Sequence, residues 1–215
     1  SSGMMLTCRK DMGVNTTADL KGKTLGVWFY GNEYPFLSWM SRLGYKTDGS
    51  ADGVTVLKQG WGVEPLTEGQ AACVSTMSYN EYWVVRDAGY SPEELTVFKY
   101  QAEGAATLED GLYVHEKNMS DPVFKDKMVR FVRASMKGWK YAEENPKEAA
   151  MIILDNDDAG VQTEKHQVRM MGEVAKLTAG SNGSLDPADY ERTVKVLMSG
   201  ASDPVITKKP SGAWT

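Results

Sequence analysis

Residues that could bind a small molecule are concentrated just after the first clear strand pattern of the sequence. The run GVWFYGNEYPFLSWM, residues 26–40, changes from an apolar strand pattern to a polar turn and then to a helical pattern. The turn carries Trp28, Tyr30, Asn32 and Glu33, which combine flat rings with hydrogen-bonding groups. Backbone N–H groups at a helix start are also available to a ligand. The sequence therefore predicts a cleft wall for a small planar or polar molecule.

The same turn has a plainer interpretation, and the sequence leaves both open. Asn32 is a residue type that caps helix N-termini, and Tyr34 and Phe36 fit the edge of a core. The carboxylate of Glu33 weighs against an anionic ligand and suits a heterocycle rich in hydrogen-bond donors.

Two further strand-to-helix turns carry similar groups. Trp61 lies between two glycines, so its ring either stacks on a ligand that approaches the backbone or covers the core. The run STMSYNEYW, residues 75–83, supplies several hydroxyl and amide groups, whereas a simple helix cap needs one. The groups of this run that we expect to contact the ligand are Ser75, Thr76, Tyr79 and Asn80.

Other polar residues are weaker candidates. Glu109 could accept two hydrogen bonds from an amino-substituted ring, or it forms a solvated charged pair with Asp110 at a hinge. His115 and His166 have no neighbours at metal-ligand spacing, so we expect both to be structural. The sequence predicts no catalytic residue, no metal site and no cofactor.

Composition narrows the function classes. The chain has 215 residues and a formal net charge of −5, and no apolar run approaches the roughly 20 residues of a membrane-spanning helix. No Lys/Arg cluster with interleaved aromatics stands out, so nucleic acid is not an expected partner. Cys8 and Cys73 are too few for a disulfide scaffold and are expected to be inert thiols, with a single bridge as the alternative. The start, SSGMMLTCRK, lacks the apolar region of a signal peptide.

Strand and helix patterns alternate through the first half of the chain. This alternation predicts a parallel, three-layer α/β lobe. Strands are predicted at residues 5–9, 24–29, 54–58, 72–75, 95–98 and 111–115, and helices at 32–43, 63–69 and 79–88. Helices alone are predicted after residue 120, at 122–145, 146–154, 161–177 and 186–200, the last with Asp186 as its N-cap.

The second half has too little sheet for its helices. Four helices and one strand leave apolar helix faces uncovered, so the pattern predicts either missing upstream sequence or a partner chain. The tail from residue 202 is expected to be loosely held.

Three runs carry a resemblance to a known family: DLKGKTLGVWFYGNEYPFLSWM, WGVEPLTEGQAACVSTMSYNEYW and LEDGLYV. In their order and spacing the chain resembles the substrate-binding proteins of ABC importers. It is most similar to the thiamine-pyrimidine-precursor-synthesis-like branch of the nitrate, sulfonate and taurine binding proteins. The resemblance implies a type II periplasmic-binding-protein-like α/β fold, in which two lobes joined by two crossing strands close on a ligand.

The resemblance also implies a division of the chain. Residues 1–19 correspond to the first crossover strand and a linker, and residues 20–108 to a complete lobe with a parallel-dominated sheet. Residues 109–215 correspond to the return crossover and the C-terminal helices of an incomplete lobe, whose N-terminal strands and helices are absent from this sequence.

The function implied by the resemblance is binding, without catalysis. The chain would capture a small heterocyclic or vitamin-precursor ligand and present it to an ABC permease, in the periplasm or another extracytoplasmic place. One alternative is a thiamine-pyrimidine biosynthesis enzyme of the same fold. The related eukaryotic synthase carries a cysteine-rich stretch where this chain reads EGAATLEDG. The other alternative is a fragment that binds nothing and self-associates.

Overall fold

The computed structural model describes residues 2–199 and 206–211. The chain forms two compact units. The first contains the residues up to Leu108 together with those from Asp186 onward, and the second is Glu109–Leu185. Among the described helices, none combines the length and the apolar character that crossing a membrane requires.

A five-stranded mixed sheet is the centre of the first unit. Its strands are β1 (Met4–Arg9), β2 (Thr24–Val27), β3 (Thr55–Lys58), β4 (Cys73–Met77) and β5 (Leu95–Lys99). They lie in the order β3-β2-β4-β1-β5. β2 runs parallel to β3 and β4, whereas β1 runs antiparallel to β4 and β5. One antiparallel strand thus lies inside a sheet that is otherwise parallel, which confirms the predicted α/β class with a parallel-dominated sheet.

Seven α-helices are present in the described residues. They are α1 (Glu33–Arg42), α2 (Glu64–Thr67), α3 (Glu81–Asp87), α4 (Pro122–Glu144), α5 (Pro146–Asp155), α6 (Glu164–Thr178) and α7 (Pro187–Met198). Asp186 accepts a hydrogen bond from the Ala188 N–H group, which confirms it as the N-cap of α7.

The core of the first unit lies between β1, β2 and α1. Leu6, Leu25 and Phe36 are fully buried there. Trp39, also buried, has its ring centroid 5.7 Å from that of Phe98 in a tilted contact. Such aromatic pairs add to the free energy of burial, so α1 is held firmly against the sheet.

Helix α7 packs within the first unit. Ser38 on α1 and Ser199 after α7 share a hydrogen bond of 3.1 Å. Arg192 donates to the Ala106 carbonyl, and Thr193 accepts from the Leu108 N–H group. The lobe boundaries implied by the resemblance stay a prediction. In the structure, α7 belongs to the same compact unit as the sheet.

Cys8 and Cys73 form a disulfide bond, so the prediction of two inert thiols is wrong. The two cysteines are register partners on β1 and β4, with their Cα atoms 3.9 Å apart. The sequence does not show this pairing because the two strands are separated by 65 positions.

The strand predicted at residues 111–115 is also wrong. This segment has no regular secondary structure and leads into a 3-10 helix at Glu116–Ser120. A strand requires a neighbour to accept its hydrogen bonds, and within the described residues no strand pairs with this one. The tail prediction concerns residues of which 202–205 and 212–215 lie outside the described part of the chain.

Candidate functional site

The three predicted turns lie side by side at one edge of the sheet. They follow β2, β3 and β4, which are parallel neighbours in the order β3-β2-β4. Parallel strands bring their carboxyl ends to the same edge, and open α/β sheets commonly bind ligands there. The fold therefore brings together Trp28, Trp61 and the turn around Asn80, which are far apart in sequence.

The side chain of Gln59 connects the turn after β3 to strand β4. Its side chain is only 5% exposed. Its Oε1 accepts a hydrogen bond from the Ser75 N–H group at 2.8 Å. Its Nε2 donates to the carbonyls of Ser75 at 3.0 Å and Gly62 at 3.1 Å. A single amide thus satisfies three backbone groups, two of Ser75 in β4 and one of Gly62 in the turn after β3.

Gly26 allows Gln59 to cross the end of β2. A Cβ atom at position 26 would lie 3.2 Å from Gln59 Oε1 and 2.9 Å from Val74 Cγ1. The absence of a side chain is therefore what lets the amide pass from β3 to β4. Sequence reasoning missed both residues, because a glutamine after a strand gives no local signal of a contact 16 positions away.

The hydroxyl groups of Ser75 and Thr76 are buried inside this framework. Ser75 Oγ accepts from the Trp28 N–H group and donates to the Gly26 carbonyl, both at 3.4 Å. Thr76 Oγ1 is 2.7 Å from Thr7 Oγ1 on β1. The structure thus shows both hydroxyls joining neighbouring strands, and their predicted ligand contacts stay a prediction.

The aromatic side chains of the turns differ in exposure: Trp28 is a supporting residue, and Tyr30 and Trp61 form the exposed rim of the site. Trp28 is half-buried, and its Nε1 donates to the Gly60 carbonyl at 3.0 Å. The rings of Tyr30 and Trp61 are 92% and 96% exposed. Trp61 therefore does not cover the core, and both rings are open to contact from another molecule.

The polar residues of the first turn are engaged locally. Asn32 occupies the N-cap position of α1, but no capping bond from its side chain is present in the described residues. Glu33 Oε2 accepts a hydrogen bond from the Gly31 N–H group at 2.7 Å. The carboxylate that weighed against an anionic ligand is thus bound to its own turn.

Glu81 organises the third turn. Its Oε2 accepts from the Met77 N–H group at 2.9 Å, and its Oε1 accepts from Asn80 Nδ2 at 2.7 Å. Burial raises the pKa of Glu81, although these hydrogen bonds act in the opposite direction. Tyr79 is half-buried beside it. Glu81 was visible in the run STMSYNEYW, and its importance follows from its burial.

Lys58, the last residue of β3, was also missed. Its Nζ lies 4.8 Å from the ring centroid of Tyr30 and 5.5 Å from that of Phe29. It also donates to the Tyr30 hydroxyl at 3.4 Å. A lysine at the exposed end of a short strand gives no sequence signal of such contacts.

Glu109 belongs to the second compact unit, where it is half-buried, and its predicted ligand contact stays a prediction. Within the described residues, no group of three or more His, Cys, Asp or Glu side chains is arranged to hold a metal ion.

A pH dependence follows from Glu81. Since its pKa is raised in the folded protein, folding favours the protonated form. We expect the free energy of unfolding to decrease as the pH rises from the ordinary carboxyl pKa through the raised one. Glu81→Gln should remove this decrease, because glutamine does not ionise. Asn80 can turn its amide to keep the hydrogen bond, so the turn should stay intact. Urea denaturation between pH 4.5 and 8 measures it.

The exposed Glu93→Gln variant is the control and should retain the slope of the wild-type chain. An unchanged slope in Glu81→Gln would show that another group causes the pH dependence.

Comparison with known proteins gives one family. The protein-family model described as NMT1/THI5 like matches residues 1–149, more than half of the chain. The matched residues include all five strands and the three turns. No curated protein matches the chain.

Proposed function

Because the chain belongs to the NMT1/THI5-like family, we propose that it is the solute-binding component of an ABC-type importer. The ligand proposed is a small heterocycle similar to the pyrimidine precursor of thiamine. The family and the α/β periplasmic-binding-like fold agree with a substrate-binding or thiamine-precursor-related role.

The observation that carries the proposal is the edge formed by the three turns. Two exposed rings, Tyr30 and Trp61, stand beside a framework that Gln59 holds in place. Ligand sites of this kind combine apolar surface with a few fixed polar groups. Flat rings would contact the faces of a heterocycle, and the turn around Asn80 would orient its polar edge.

The proposed mechanism is capture without a chemical step. A second lobe would close over the ligand, and the importer would recognise the closed form because the ligand favours it. The permease is thus the proposed protein partner.

An extracytoplasmic location is part of the proposal. The disulfide between Cys8 and Cys73 supports it, because disulfides persist in oxidising compartments and are rare in the cytosol.

Two alternatives remain. THI5-like members of the family can be biosynthetic, so an enzyme of thiamine-pyrimidine synthesis is the second candidate; the cysteine-free run at residues 103–111 weighs against it. Self-association is favoured by the exposed apolar side chains of the second unit, since contact with another copy of the chain would remove them from water. These side chains include Val123, Val129, Phe131 and Ile152.

Ligand binding can be tested directly. We expect a 4-aminopyrimidine to raise the melting temperature more than riboflavin, taurine or nitrate does. Trp61→Ala and Tyr30→Ala should each weaken binding by about tenfold, as the loss of one stacking partner predicts. Because both rings are exposed, the free energy of unfolding should change by less than about 0.5 kcal/mol. Isothermal titration calorimetry measures the affinities.

Trp139→Ala, on α4 and outside the three turns, is the matched control and should bind as the unchanged chain does. Unchanged affinity in both rim variants would show that the site lies elsewhere.

A further inference from the structure

Lys58 places a positive charge at the rim of the three turns. Its side chain is exposed at the end of β3. Its Nζ lies 4.8 Å from the ring centroid of Tyr30 and 3.4 Å from the Tyr30 hydroxyl. Of the ion pairs formed by the described residues, none joins Lys58 to a carboxylate. Its charge therefore faces aromatic rings and solvent.

The carboxylates of the three turns contact groups of their own turns. Glu33 accepts from the Gly31 N–H group, and Glu81 from the Met77 N–H group and Asn80. Glu64 folds back so that its carboxylate lies against Gly62. The acidic residues thus leave the ammonium group without a directly bonded counter-ion.

The backbone conformation of Tyr30 supports a ligand-binding role for its ring. Its φ of 65° lies in the left-handed region, which costs free energy for a residue other than glycine. The ring is 92% exposed, so burial of the ring does not compensate this cost. Strained residues of this kind are concentrated at ligand-binding sites.

We propose that Lys58 selects ligands that carry an anionic substituent, a phosphate or carboxylate, on a planar ring that stacks on Tyr30 and Trp61. This inference rests on the proposed function and specifies the ligand of the same site. An anion beside the ammonium group is attracted more strongly than the ring face that the group now meets. The carboxylate of Glu33 keeps its charge when it accepts from the Gly31 N–H group, so the attraction of Lys58 for the anion must exceed the repulsion by Glu33.

The test uses three ligands with one ring: 4-amino-5-hydroxymethylpyrimidine, its phosphate monoester, and 4-aminopyrimidine-5-carboxylate. Their affinities are measured by calorimetry for the full chain, for Lys58→Gln and for Lys46→Gln. Lys46 is an exposed lysine before β3, at the opposite end of that strand, and serves as the control. The titrations are repeated at two salt concentrations, because attraction between exposed charges weakens as salt increases.

We expect the unchanged chain to bind at least one anionic ligand about tenfold more tightly than the neutral alcohol, as one direct charge contact predicts. Lys58→Gln should abolish this preference and its salt dependence, and should leave the affinity for the alcohol within about twofold. Lys46→Gln should keep the preference and its salt dependence. A preference that persists in Lys58→Gln, or a chain that prefers the alcohol, overturns the inference while the proposed function stands. Failure of all three ligands to bind refutes the proposed function, and the inference with it.

Discussion

Replacing Cys8 and Cys73 together by alanine is expected to lower the free energy of unfolding by about 4 kcal/mol. The bond joins positions 65 residues apart, so it restricts a large loop of the unfolded chain. Both cysteines are fully buried at register partners of β1 and β4, so alanine fits the space without introducing a polar group. The loss should therefore reflect the crosslink more than the packing.

Urea denaturation of the oxidised chain, the reduced chain and the double variant measures this effect. We expect the reduced chain and the double variant to unfold at similar urea concentrations, both well below the oxidised chain. The exposed Ser184→Ala variant controls for handling and should match the oxidised chain. A double variant as stable as the oxidised chain would mean that the bond does not form in the folded protein.

Local sequence patterns predicted the elements that depend on near neighbours. The strand at Thr24–Val27 and helix α1 were expected within two residues of their ends, because apolar periodicity and the turn between them are local signals. The cap at Asp186 was expected for the same reason. The order of the parallel strands was not predicted, since it depends on long-range pairing.

Long-range pairing explains what the sequence could not show. The disulfide needs β1 to lie beside β4, and the Gln59 amide needs Gly26 beneath it. The segment 111–115 has a strand-like sequence, but a strand forms only when a neighbour pairs with it. Each of these features involves residues that are brought together by strand pairing and not by nearness in sequence.

The candidate site was predictable as a set of turns, and less so residue by residue. Its turns are local patterns, and parallel strands bring their ends to one edge. Which side chains face outward depends on packing: Ser75 and Thr76 are buried in the framework, whereas Tyr30 and Trp61 stand on the rim. Residue type alone does not separate these two roles.

Replacing Gln59 by leucine is expected to lower the free energy of unfolding by about 3 kcal/mol and to reduce ligand affinity strongly. The substitution removes the partners of the Ser75 N–H and carbonyl groups and of the Gly62 carbonyl. Buried backbone groups without partners are costly. The turn after β3 would also lose its side-chain connection to β4, so Trp61 would be held less firmly relative to Asn80.

Gln70→Leu is the matched control, since the Gln70 side chain is exposed and should change stability little. Gln59→Glu distinguishes hydrogen bonding from packing. One carboxylate oxygen can still accept from the Ser75 N–H group, but the other faces two carbonyl oxygens and has no proton to donate. We therefore expect a raised pKa for the new carboxyl, and a free energy of unfolding that recovers as the pH falls through that pKa. If Gln59→Leu matches Gln70→Leu in both stability and affinity, the amide is not what holds the turn after β3 to β4.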